Sequence, residues 1–170
     1  VSRKPLYIFD LDGTLALIEH RRHFVTAPGT GGYPSDIRDP DNKTWKPDWK
    51  AFYAACDRDE PNLPVIKTLR MLANAGADIW VFSGRSDEVR EKTVDWLMRH
   101  VCWLSRTEIV LEMRREGDYT PDDQLKLGWL RNMFAADRER LVAVFEDRDR
   151  MVKMWRAEGV ACFQVAPGEF

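Results

Sequence analysis

The chain has 170 residues, 44% hydrophobic and 32% charged. This is the makeup of one globular domain with a sizeable core, and no apolar run is long enough to span a membrane. Lysine and arginine number 26 against 28 aspartates and glutamates, a formal net charge of −2, so contact with nucleic acid would need a local basic patch. Cys56, Cys102 and Cys162 are odd in number and far apart, with no CxxC spacing. They read as reduced thiols of a cytoplasmic protein rather than a disulfide frame or zinc site. The amino terminus shows no signal-peptide core, and a start at Val1 rather than Met leaves room for upstream sequence.

The first predicted element is an apolar strand, Leu6–Phe9, which runs into Asp10-Leu11-Asp12-Gly13-Thr14. In a buried parallel strand Asp10 and Asp12 emerge together at the carboxyl end, on one side of the pleat, where open α/β sheets place their chemistry. Paired carboxylates there suit holding a hard cation such as Mg²⁺, or dividing nucleophile and general-acid roles. An Asp-Gly turn after an ordinary strand is the plainer explanation, so partners downstream must decide.

Residues 16–62 form an insertion before the first clear helix, and a long irregular segment beside a strand end reads as a small cap or lid. It carries His20-Arg21-Arg22-His23, a Pro/Gly-rich stretch from Pro28 to Pro34, and a short helix from Asp48 to Cys56. Trp45, Trp49, Phe52 and Tyr53 surround that helix. They read as the insertion's own core, with stacking on bases as the alternative.

Beyond the insertion, strands alternate with segments of helical period. A helix opened by Pro64 places Val65, Leu69 and Leu72 on one face and stops near Gly76. Strand Ile79–Phe82 then leads into Ser83-Gly84-Arg85, a hydroxyl on a glycine-loosened turn that suits a phosphate oxygen. Ser86 caps the next helix, whose predicted apolar face is Val94, Leu97, Met98 and Val101. Strand Ile109–Met113 precedes a helix begun by Thr120-Pro121-Asp122-Asp123, with Lys126 on it and Leu127, Leu130 and Phe134 as its apolar positions. Strand Leu141–Phe145 ends in a second acidic pair, Glu146-Asp147. A helix from about Arg148 to Gly159 and a strand over Val160–Val165 complete the chain. Strands alternating with helices predict an α/β fold, three-layered and Rossmann-like, with a mostly parallel five-stranded sheet. Taken singly, Lys126 reads as a solvated helix lysine and Glu146-Asp147 as a helix cap.

In this order, Asp10-x-Asp12-Gly13-Thr14, Ser83, Lys126 and Glu146-Asp147 resemble the four motifs of the haloacid dehalogenase (HAD) superfamily phosphatases. A closer resemblance is to the 3′-phosphatase domain of phage polynucleotide kinase-phosphatase. It is carried by Phe9 to Ala16, Phe82-Ser83-Gly84-Arg85, Arg115-Glu116-Gly117-Asp118 and the tail from Met154 to Phe170, which suggests that this chain also ends there. Two departures stand out: Glu146 replaces an aspartate, and the 16–62 insertion is much longer than its counterpart.

The resemblance implies a Mg²⁺-dependent phosphomonoesterase within a single HAD-like domain, residues 1–170. Asp10 would be the nucleophile and form an aspartyl-phosphate, and Asp12 the acid and base. The metal would sit among Asp10, the main-chain carbonyl of Asp12, Glu146 and Asp147. Thr14, Ser83, Gly84 and Lys126 would hold the phosphoryl group, and Arg21, Arg85 and Arg115 (or Arg114) would contact substrate. Asp122 would orient Lys126 four residues later. The implied partner is a phosphorylated nucleic-acid 3′ end; a nucleotide or small-molecule phosphatase and a catalytically silent end-binding module are the alternatives. No G-x-x-x-x-G-K-[ST] loop occurs, so a kinase domain would lie elsewhere, in a longer or a separate chain.

Overall fold

Strand β1, Leu6–Asp10, is apolar on both faces until its last residue, and this places it at the centre of the sheet. The computed structural model describes residues 3–26, 45–102 and 109–168. Within them β1 pairs in parallel with β4, Asp78–Ser86, on one side and with β6, Leu141–Glu146, on the other. Strand β5, Ile109–Arg114, extends the sheet beyond β4, and β7, Cys162–Gln164, extends it beyond β6. The order is β5-β4-β1-β6-β7. The chain therefore winds outward from β1 in one direction and crosses back to wind in the other. A crevice forms where the direction reverses, outside the carboxyl ends of β1 and its neighbours. Asp10, Ser83 and Glu146 all emerge there.

Alternation along the strands feeds two cores. On one face Phe9, Ile79 and Val81 pack against Val65, Ile66 and Leu69 of α3, Leu63–Asn74, and Trp96 and Leu97 of α4, Arg90–Leu97. On the other, Ile8, Phe82 and Val144 meet Leu130 of α5, Asp122–Asn132, and Met151, Val152 and Trp155 of α7, Asp149–Ala157. Each buried aliphatic or aromatic side chain contributes roughly 1.5–3 kcal/mol, so the sheet that carries the strand ends is a rigid platform.

Two helical faces differ from expectation. Val94 and Met98 are exposed, and the buried side of α4 holds Thr93, Trp96, Leu97 and, past its end, Val101. A single 3₁₀ turn, Asp87–Val89, precedes α4 and a π turn, Met98–Cys102, follows it. Thr93, Trp96 and Leu97 make one regular helical face, on which the large indole of Trp96 takes the core position. Phe134 is exposed because α5 ends at Asn132, before its period reaches that residue, and Phe134 instead precedes a short helix α6, Ala135–Glu139.

The insertion leaves and returns through a two-stranded antiparallel ribbon, β2 (Ala16–Leu17) against β3 (Glu60–Pro61). Between these strands are α1, Glu19–Arg22, then α2, Trp49–Ala54, capped by the Asp48 carboxylate, and a 3₁₀ turn, Cys56–Arg58. The Pro28 to Pro34 stretch lies outside the described residues. The insertion's aromatics divide: Phe52 is buried, whereas Trp49 is 49% exposed. The three cysteines are free, and no helix among the described residues is long and apolar enough to cross a membrane.

Candidate active site

The turn after β1 sends two neighbouring carboxylates to different surroundings. The main-chain amides of Leu15 and Ala16 donate to the Leu11 carbonyl, and Gly13 N–H donates to Ala16 O at 2.8 Å. Gly13 has φ +89°, and a Cβ there would collide with the Asp147 carboxylate. Only glycine allows the turn to close this tightly on β6.

Asp10 faces a nest of acids. A carboxylate oxygen from each of Asp10, Glu146 and Asp147 lies within 4.8 Å of the others, and all three residues are buried. Lys126, itself 3% exposed, donates to Asp10 Oδ1 and, at 2.9 Å, to Glu146 Oε2. Thr14 Oγ1 donates to Asp147 Oδ1 at 3.3 Å. Burial and then the Glu146 charge push Asp10 well above the ordinary carboxylate range and Asp147 up to about 7. The flanking carboxylates hold the Lys126 ammonium above its usual value, despite burial. An oxygen-only trio with excess negative charge is what a hard divalent cation offsets, so these residues fit Mg²⁺.

Asp12 faces cations. Its Oδ1 accepts from Arg21 Nη2 at 2.7 Å and from Arg85 Nε and Nη2 at 2.7 and 2.5 Å. Both guanidiniums also bind Asp59: Arg21 through Nε and Nη2 at 2.6 and 2.7 Å, and Arg85 through Nη2 at 2.5 Å. His20 Nε2 lies 2.9 Å from Asp59 Oδ1, Trp96 Nε1 donates to the Asp59 carbonyl at 2.8 Å, and Arg21 lies 4.1 Å over the Phe52 ring. Burial opposes ionisation of Asp12, but Arg85 and Arg21 together hold its carboxyl below the usual range.

The expected arginine patch is thus rearranged. Arg21 and Arg85 do not lie open for substrate: both are buried, with guanidiniums committed to the two carboxylates. Arg114 is likewise buried, donating to the carbonyls of Gly84, Asp118 and Thr120 and to Asp122. Arg115 is exposed on a neighbouring groove rather than in the crevice. Asp122 does not bond Lys126, which turns to Asp10 and Glu146; Arg114 and Arg148 grip it instead, and with Lys126 these overcome burial to hold its carboxyl low. Ser83 is buried at the end of the β4 run, its hydroxyl accepting the Arg85 amide at 3.2 Å. Gly84 packs on Asp122, where a Cβ would come within 2.9 Å of a carboxylate oxygen.

Sequence reasoning missed Asp59 and Arg148. Asp59 lies in a charged run with no motif around it, and only the ribbon brings it to Arg21. Arg148 follows the acidic pair directly, and lines the same crevice as Asp10, Asp12 and Lys126; its place next to Asp147 was the available signal.

Residues 49–170 match the family described as the polynucleotide kinase PNKP phosphatase domain. The chain belongs to this family. The match takes in Ser83, Arg85, Asp122, Lys126, Glu146 and Asp147, while Asp10 and Asp12 precede it. A protein of Autographa californica nuclear polyhedrosis virus, described as a bifunctional polynucleotide kinase/RNA ligase, is 34% identical over 148 residues, or 86% of this chain and 17% of that protein. A chain in the structure of the Pnkp1/Rnl/Hen1 RNA repair complex superimposes with a TM-score of 0.70 at 29% identity, covering 98% of this chain and 44% of its own. The class C acid phosphatase from Bacillus anthracis with tungstate bound, at TM-score 0.56 and 14% identity, covers 99% of this chain and 68% of its own; it shares the fold alone. This PNKP-type, HAD-type phosphatase domain therefore spans less than half the length of the first two relatives.

Proposed function

We propose that this phosphatase domain is a Mg²⁺-dependent phosphomonoesterase that removes 3′-phosphates from nucleic-acid ends, RNA in particular, through an aspartyl-phosphate on Asp10. The observation that carries the reading is the division of one strand end, with Asp10 among Lys126, Glu146 and Asp147 and Asp12 clamped by two arginines. A binding module needs neither arrangement.

In the first step a carboxylate oxygen of Asp10 bonds to phosphorus as the bond to the leaving oxygen breaks, and Asp12 supplies that oxygen's proton. In the second, water attacks phosphorus, Asp12 takes its proton, and inorganic phosphate leaves the regenerated Asp10. Arg21 and Arg85 hold Asp12 ionised, ready for the second step. It serves the first only once protonated, so the clamp sets the balance between the two. Lys126 and Ser83 hold phosphoryl oxygens, and Thr14 steadies Asp147. Asp10, Glu146 and Asp147, with the Asp12 carbonyl, would hold Mg²⁺, which supplies the positive charge that lets a phosphate dianion approach the carboxylates.

The 16–62 insertion is read as a small cap whose ribbon delivers Arg21 and Asp59 to the catalytic strand end. The viral kinase/RNA ligase relative and the RNA repair complex support an RNA-end substrate and a partner kinase elsewhere in a longer or separate chain. Hydrolysis of a 3′-phosphorylated oligonucleotide, its 5′-phosphorylated counterpart, a nucleoside monophosphate and an aryl phosphate tests this. The 3′-phosphorylated oligonucleotide should give the highest kcat/KM, and equal rates on all four would point to a small-molecule phosphatase.

A further inference from the structure

The crevice over Asp10, Asp12 and Lys126 is small, about 80 Å³, room for a phosphoryl group but not for a nucleoside. A second, open groove of about 470 Å³ adjoins it, within the size range of ligand clefts. Trp49, Tyr53 and Asp122 line both. The two aromatic rings lie one helical turn apart on α2 and stack, with centroids 5.9 Å apart and planes at 30°. Tyr53 is fixed by its hydroxyl, which donates to Gly84 O at 3.3 Å. Trp49 packs edge-on against buried Phe52 and leaves half its surface to solvent. A large, half-exposed indole held against a fixed ring beside a phosphate-sized pocket is a stacking platform.

The remaining lining decides what the groove takes. Glu88, Glu116 and Asp118 are set against Lys50 and the exposed Arg115, and Arg114 is already bound to Asp122, so the groove has no excess positive charge to draw in a second phosphate. The same carboxylates can accept from neutral donors such as sugar hydroxyls and base amines. Tyr119, which also lines the groove, is 91% exposed.

We infer that this groove is the terminal-nucleoside subsite: the base next to the scissile phosphate stacks on Trp49, with its sugar toward Asp122 and the phosphate passing into the crevice. The inference rests on the proposed 3′-phosphatase reading. It assigns specificity to the insertion's aromatic helix rather than to an arginine patch.

Three substrates test it: a 3′-phosphorylated oligonucleotide, the same oligonucleotide with an abasic terminal sugar, and ethyl phosphate. Stacking of about 1–3 kcal/mol per base predicts that Trp49→Ala lowers kcat/KM on the intact oligonucleotide about 5- to 150-fold more than on ethyl phosphate, mainly through KM. Wild-type protein on the abasic substrate should show a comparable loss, and Trp49→Phe should recover most of the activity on the intact one. Equal losses on all three substrates would make Trp49 merely structural and overturn the inference, as would an unaffected Trp49→Ala protein. If wild-type protein cleaves ethyl phosphate but not the oligonucleotide, the 3′-phosphatase reading itself fails and the subsite falls with it.

Discussion

Asp10 and Asp12 stand one residue apart at one strand end, yet their surroundings are opposite. Asp10 shares its site with two acids and one lysine, and burial and like charge push its carboxyl upward. Asp12 is gripped by two guanidiniums, and its carboxyl is held low. The difference teaches that a catalytic pair is defined less by the two side chains than by what each is packed against. The acidic side is built from the sheet and α5, whereas the cationic side draws Arg21 and Asp59 from the insertion.

Breaking the acidic side should cost most. Asp10→Asn keeps the size but removes the attacking oxygen, so turnover should fall by orders of magnitude while the protein remains folded by circular dichroism. Near-normal turnover would sink the mechanism. Chelation acts on the same side: EDTA should abolish activity and Mg²⁺ restore it, with Asp147→Asn raising the Mg²⁺ concentration needed for half-maximal rate. Full activity in EDTA would show that the trio does not serve a metal.

Breaking the cationic side should leave a different signature. Asp12→Asn should lose about 10²–10⁴-fold on alkyl leaving groups and much less on an activated aryl phosphate, which needs little protonation. Asp59→Asn should show the same leaving-group dependence in weaker form, because it loosens the two arginines without touching the reacting atoms. It should also lower stability by about 3 kcal/mol, since both guanidiniums lose a buried carboxylate. A stability loss with equal rate losses on alkyl and aryl substrates would reduce Asp59 to a packing role. The smallest effect is expected for Arg148→Ala, which removes one grip on Asp122 at the crevice edge. KM should rise several-fold with kcat near wild type, read from initial rates.

What was legible in the sequence is local. The run from Leu6 into Asp10-x-Asp12-Gly13-Thr14 places two carboxylates at a strand end because strand period and turn chemistry act over a few residues. The same holds for Ser83 near the end of β4, for Glu146-Asp147 where β6 ends, and for the helix that carries Lys126. Helical faces were less legible: the size of Trp96 turned α4 so that Val94 and Met98 face outward.

The sequence by itself determined which side chains stand at the strand ends, since apolar period, Gly13 and the capping residues are short-range constraints. Which charges pair was decided only by the tertiary structure. Arg21 meets Asp59 38 positions away and Arg85 meets it 26 positions away, while Lys126 reaches Asp10 across 116 residues. No spacing encodes such partners; the ribbon and the parallel register bring them together, and burial then requires every charge to find its opposite.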